Sequence, residues 1–217
     1  MELLKIDNVA KKYDNSENFA VEKSSFSINK GEFISIEGVS GSGKSTLLMM
    51  IGGLLKPSDG HIAYNGNDIY AMNDKDLSKW RGKAAGYLFQ NVQLVQALTI
   101  RENMMLARKL GNNKDFDIDG ILKELGLEKE AERLPGHLSG GQKRRAMIGC
   151  VLARDPEIIL ADEPTNDLDE HWATKIMEML KTFTAEGKAV VLVTHDKRWS
   201  YLSTTRYSIN SGVLGSL

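Results

Sequence analysis

At 217 residues the chain has the size of one large or two small domains, and 41% hydrophobic against 26% charged residues with only 4 prolines excludes collagen-like, low-complexity and disordered classes. The 28 Lys and Arg nearly cancel the 29 Asp and Glu, so a formal charge of −1 leaves no overall basic field for gripping nucleic acid. Cys150 alone can form neither an intrachain disulfide nor a multi-cysteine zinc site, which fits a reducing cytosol, and the first residues lack the basic start and apolar stretch of a signal peptide.

In chain order, runs rich in β-branched and aromatic residues predict strands at Leu3–Val9, Ser25–Ile28, Phe33–Glu37, His61–Tyr64 and Gly86–Phe89, then at Ile158–Leu160, Ala189–Thr194 and Arg206–Ile209. Turn signals at Asn29-Lys30-Gly31 and Asn65-Gly66-Asn67 separate the early strands by short steps, which predicts a small antiparallel sheet near the N-terminus. Helical stretches at Lys44–Leu55, Gly140–Leu152 and Glu170–Phe183 alternate with the other strands, the rhythm of a parallel α/β core. Between about Thr99 and Leu138 the strand signal gives way to helix-compatible segments at Ile100–Leu110 and Ile118–Leu125, with a loop at Gly111-Asn112-Asn113, and reads as a helical insertion. The apolar stretch Leu47 to Leu55 is too short to span a membrane, so a membrane role would run through a partner.

Gly38-Val39-Ser40-Gly41-Ser42-Gly43-Lys44-Ser45 fits G-x-x-x-x-G-K-[ST] between a strand and a helix. Glycines without a Cβ let backbone N–H groups curl around phosphate oxygens, and the helix starting near Lys44 adds the positive end of its dipole. Lys44 is expected to reach the β- and γ-phosphates and Ser45 to ligate Mg²⁺. Asp162 and Glu163 directly follow the apolar run Ile158-Ile159-Leu160-Ala161, where open α/β sheets place their ligands. Asp162 is expected to hold Mg²⁺ through water and Glu163 to act as general base on the attacking water. The two motifs alone say nucleotide hydrolase or phosphotransferase and nothing narrower.

Leu138-Ser139-Gly140-Gly141-Gln142 narrows it, for this stretch resembles the signature of the ATP-binding-cassette (ABC) ATPases. The resemblance runs from Tyr13 through His195. It implies a P-loop core of the RecA-like α/β type with an N-terminal antiparallel β subdomain and an inserted α-helical subdomain. The domain expectation is one nucleotide-binding domain over 1–217, with core and β subdomain in 1–95 and 140–217 and helices in about 96–139. It further implies that Gly38, Ser40, Gly41, Ser42, Gly43, Lys44, Ser45 and Thr46 bind ATP. Tyr13 would stack on adenine, and Gln90 would touch Mg²⁺ while its loop faces a membrane partner. Ser139, Gly140, Gly141 and Gln142 would cap the ATP of a second subunit. Asp169 in Thr165-Asn166-Asp167-Leu168-Asp169 would report between subunits, and His195 would hydrogen-bond the γ-phosphate.

Each motif occurs once, so the chain resembles one half of a nucleotide dimer, with a second copy or a homologous ATPase subunit as the other half. The lead from Leu77 to Lys83 into Gly86-Tyr87-Leu88-Phe89-Gln90 is similar to a branch that serves lipoprotein release, macrolide and peptide efflux, and septal cell-wall signalling. That implies an integral membrane permease as partner, a place on the inner face of the cell membrane, and no nucleic acid. A soluble switch acting on ribosome or DNA, or an ATPase that regulates cell-wall hydrolysis without transport, stands as the alternative. The sequence departs from relatives at Gly149 and Cys150, where alanine and arginine are usual, and at Val95-Gln96-Ala97, where a proline is often seen. Cys150 reads as a packing residue, and Lys143-Arg144-Arg145 as a helix face next to the phosphate site.

Overall fold

The first two strands are longer than their hydrophobic patterns. In the computed structural model, which describes residues 1–14, 16–111, 113 and 115–217, β1 (Glu2–Lys12) pairs antiparallel with β2 (Phe19–Asn29). Shifts of register between Ile6 and Val9 and again near Lys11 break the inside–outside alternation, so the ends of both strands carry no two-residue period to read. β1 also pairs with β4 (Asp59–Tyr64), and β5 (Asn67–Asp68) completes a sheet ordered β2-β1-β4-β5.

The second sheet is ordered β10-β9-β3-β8-β7-β6. Its strands β3 (Phe33–Glu37), β6 (Ala85–Leu88), β7 (Ile158–Asp162), β8 (Ala189–Thr194) and β9 (Thr205–Asn210) run parallel, and β10 (Val213–Ser216) returns antiparallel to β9. Strands β3, β7 and β8 are buried along their whole length, as central parallel strands covered on both faces must be. Alternate residues feed two cores. Val190 and Leu192 of β8 join Ile159 and the helices on one face, while Val191 and Val193 join Leu160, Leu47 and the inner side of β1 and β2 on the other. β10 was absent from the sequence expectation. Its hairpin turn, Ser211-Gly212, has positive φ at both residues, the geometry of a two-residue I′ turn.

Among the described residues the α-helices are α1 (Lys44–Ile51), α2 (Asp74–Ala84), α3 (Ile100–Gly111), α4 (Ile118–Glu124), α5 (Gly140–Ala153) and α6 (Glu170–Ala185); α1, α2, α5 and α6 pack on the second sheet, and α3 and α4 pack on α5. Helix α1 stops short of the expected Leu55 because Gly52 and Gly53 end it, Gly53 in the left-handed region. Helix α2 is an addition to the expectation, although its signals are present: Asn73 caps it, Asp74 and Asp76 lie in its first turn, and Arg81 and Lys83 in its last. Of the expected loop after α3, Gly111 ends the helix, Asn113 is irregular, and Asn112 lies outside the described residues. Helices α3 and α5 meet closely at Gly149, where a Cβ would lie 2.4 Å from Met104 Cε and would have to push that side-chain end aside. Half-buried Cys150 packs beside it, and burial pushes its thiol up to about 12, as for a packing residue rather than a reactive one. Among the described residues no helix is long and apolar enough to cross a membrane.

Candidate active site

The loop 38–45 leaves β3 at its C-terminal edge and enters α1. Gly41 and Gly43 have φ of 77° and 106°, a region that L side chains rarely occupy. Contact also demands glycine here: a Cβ on Gly38 would lie 2.4 Å from the Ile209 carbonyl, and one on Gly43 2.1 Å from that of Ala20. Helix α1 has no side-chain cap, so its first amides are free to donate to an anion. Lys44 is 8% exposed and folds back over the loop, its Nζ donating to the carbonyls of Gly38 at 2.7 Å and Val39 at 2.8 Å.

A cavity of about 720 Å³ opens over this loop. It gathers Tyr13, Ser40, Gly41, Gly43, Lys44, Ser45, Thr46, Gln90, Asp162, Glu163 and His195 from five different parts of the chain. Gly38 and buried Ser42 support the loop without lining the cavity. Tyr13 stands half exposed at its edge, with its hydroxyl 3.4 Å from Thr46 Oγ1.

The two carboxylates that end β7 are held differently. Burial above all, and then the adjacent Glu163, push the Asp162 carboxyl above the ordinary range against the pull of Ser45, Lys44 and Arg144. Glu163 has φ of 49°, strained for a residue with a side chain, and its amide donates to the Val193 carbonyl at 2.9 Å. Its Oε2 accepts from Thr194 Oγ1 at 3.0 Å. Its Oε1 accepts from the His195 amide at 2.9 Å and lies 2.7 Å from His195 Nδ1. The ring expected to face a phosphate is thus fastened to the carboxylate expected to activate water. Thr194, whose hydroxyl completes this set, escaped the sequence reading because a threonine ending an apolar strand carries no separate signal.

Ser139, Gly140, Gly141, Gln142 and Asp169 do not join this cavity. They line a second cleft of about 450 Å³ with Arg145, Asp167, Leu168 and Trp172. Ser139 caps α5 reciprocally, its Oγ accepting from Gln142 N while Gln142 Oε1 accepts from Ser139 N at 2.9 Å. Asp169 caps α6, accepting from Trp172 N at 2.9 Å. The loop between Glu163 and α6 bridges the two clefts, with Asn166 in the first and Asp167 in the second.

The basic cluster is not one exposed helix face next to the phosphate site: Lys143 is half-buried, and Arg144 and Arg145 are buried, although Arg145 borders the second cleft. Arg144 donates to the carbonyls of Phe89 and Gln90, and Arg145 to those of Leu125 and Gly126 while stacking 3.9 Å over Trp172. Burial is possible because fixed carbonyls replace water around each guanidinium.

The profile of the family described as ABC transporter matches residues 21–166, more than half of the chain. This chain belongs to the ABC transporter family. The ABC transporter ATP-binding protein YtrE of Bacillus subtilis is 36% identical over 211 residues, covering 95% of this chain and 91% of the relative. The macrolide export ATP-binding/permease protein MacB of Mannheimia succiniciproducens is 36% identical over 91% of this chain, which spans 32% of that longer protein. The dimeric post-hydrolysis state of the ATP-binding cassette MJ0796, bound to ADP and Pi, matches with a TM-score of 0.90 and 35% identity over 99% of both chains. This ABC protein is accordingly an ATP-binding subunit and an ATPase, built as the cassette the sequence implied.

Proposed function

We propose that the cavity over the 38–45 loop binds ATP for hydrolysis, and that a second cassette closes it with Ser139, Gly140, Gly141 and Gln142. The observation that carries this reading is the placement of Glu163, oriented by Thr194 and His195, in the same cavity as Lys44 and the uncapped start of α1. Tyr13 at the rim offers its ring to adenine, and Lys44 exchanges two loop carbonyls for phosphate oxygens. Glu163 accepts the proton of the attacking water, and His195, already on Glu163, steadies that carboxylate and the γ-phosphate side of the cavity.

The donors at the cavity floor suit magnesium. Ser45 and Gln90 present hard oxygens beside Asp162, whose desolvated carboxylate gains from a cation. When bound there, Mg²⁺ supplies charge neutralisation on the phosphate oxygens.

The assembly we infer is two cassettes on the cytoplasmic face of an integral membrane permease, within one domain over 1–217 whose helical part lies in about 96–139. Support comes from the dimer described for MJ0796 and from the joined ATP-binding and permease name of MacB. Closure and reopening of the dimer would drive export or mechanical signalling across the membrane, with a lipoprotein, peptide or drug as cargo.

Replacing Glu163 by Gln is expected to lower ATP turnover by about 100-fold or more. The same variant should accumulate as an ATP-bound dimer, read by phosphate release and by light scattering on a sizing column with Mg-ATP. A turnover within about threefold of the parent would remove Glu163 from the role of base.

A further inference from the structure

A charge enclosed by protein destabilises the fold unless its donors find partners. Arg144, in the first turns of α5, is 1% exposed, and its partners are informative. Nη1 donates to the Phe89 carbonyl at 2.5 Å, Nη2 donates to the Gln90 carbonyl, and Nη2 stands 4.0 Å from Asp167 Oδ2. Nε is buried with no partner among the described residues. The two carbonyls belong to the segment that leaves β6 and carries Gln90 into the ATP cavity. Asp167 belongs to the loop from Glu163 to α6, which presses on the start of α5 so closely that a Cβ on Gly141 would lie 2.9 Å from the Asp167 carbonyl. A single guanidinium therefore touches the Gln90 segment and the Asp167 loop from the helix that Ser139 begins.

The side chain of Gln90 is exposed and makes no hydrogen bond among the described residues, so the backbone alone directs it. That backbone is clamped at two successive carbonyls by a planar fork, a geometry that a lysine's point charge does not reproduce.

We propose that Arg144 is a positioning residue of the ATPase. By fixing the carbonyls of Phe89 and Gln90 it sets the direction in which the Gln90 side chain enters the cavity, and thereby the affinity for the divalent ion there. The inference rests on the reading of Gln90 as a metal-facing group. It also assigns the middle residue of the basic cluster a task in catalysis rather than on a surface.

The test measures ATPase rate against Mg²⁺ concentration in the purified full chain and, without turnover, the binding of Mn²⁺ in place of Mg²⁺ with a non-hydrolysable ATP analogue, read by electron paramagnetic resonance, for the parent, Arg144→Gln, Arg144→Lys, Gln90→Ala and the double variant Arg144→Gln/Gln90→Ala, the half-point of each curve being compared. Arg144→Gln is expected to raise the half-maximal Mg²⁺ concentration about tenfold, the size seen when the partner of a metal-site residue is removed. Much of the rate should return at saturating Mg²⁺. Arg144→Lys, which keeps the charge and loses the fork, should fall between it and the parent. The double variant should be no worse than Gln90→Ala, because both changes remove one function. A parental half-point in Arg144→Gln, or losses that multiply in the double variant, would overturn the role of Arg144 and leave Gln90 at the metal. A parental half-point in Gln90→Ala would overturn the reading of Gln90 and this inference with it. If Arg144→Gln does not fold, Arg144→Lys alone and combined with Gln90→Ala gives the same comparison.

Discussion

Asp162 and Glu163 are chain neighbours with opposite surroundings. Glu163 is wrapped by three donors on Thr194 and His195, whereas Asp162 is desolvated at the end of β7 and its carboxyl is pushed above the ordinary range, burial being the largest cause. The unfolded chain therefore releases this proton more readily than the folded one. The ionised carboxylate costs stability at neutral pH, and the cost fades as pH falls through the folded value toward the ordinary 3.8. Asp162→Asn should raise the thermal midpoint of the nucleotide-free protein at pH 7, with the gain shrinking toward pH 4. Calorimetry that finds the variant no more stable than the parent at pH 7 would contradict the desolvation argument. The same substitution should cripple hydrolysis, a residue kept for function at the expense of stability.

At the scale of elements, the loop between β3 and α1 is held by neighbours distant in sequence. Gly43 abuts the Ala20 carbonyl of β2 while in the left-handed region, so any side chain there meets backbone that cannot swing aside. Gly43→Ala is expected to cost about 2 kcal/mol or more, the sum of a disfavoured φ and a backbone clash. Urea unfolding reads the loss. A variant within about 0.5 kcal/mol of the parent would mean that the loop relaxes freely. Helix α5 shows the opposite economy, since its first residues serve the second cleft, Arg144 serves the Gln90 segment, and Arg145 ties α5 to the end of α4 and to Trp172 of α6.

In the whole molecule, one six-stranded sheet separates two cores, and the predicted site residues open onto two clefts rather than one. A cleft bearing Ser139, Gly140 and Gly141 apart from Lys44 and Glu163 suits an enzyme completed by a second copy. Tagged Glu163→Gln protein with Mg-ATP, drawn from detergent-solubilised native membranes, is expected to bring down a second ATPase subunit and an integral membrane protein. Recovery of ribosomal proteins in place of a membrane protein would favour the soluble switch instead.

The chain order of the strands, the glycine loop, the acidic pair after β7 and the Ser139–Gln142 stretch could all be read along the sequence, because each depends on residues adjacent in the chain. Periods of two and 3.6 and the spacing of a motif are local properties. Helix α2 and strand β10 also carried local signals, a cap with flanking charges and a two-residue turn, but α2 is too polar and β10 too short for hydrophobic periodicity to mark them. Other features depend on residues far apart meeting. The engagement of Glu163 by Thr194 and His195, the backbone crowding that demands glycine at Gly43, and the burial of Arg144 and Arg145 against carbonyls of the segments that follow β6 and α4 emerge only when the sheet and helices pack. A run of basic residues reads as surface until the fold surrounds it with acceptors, since nothing in a local pattern records which carbonyls will replace the water.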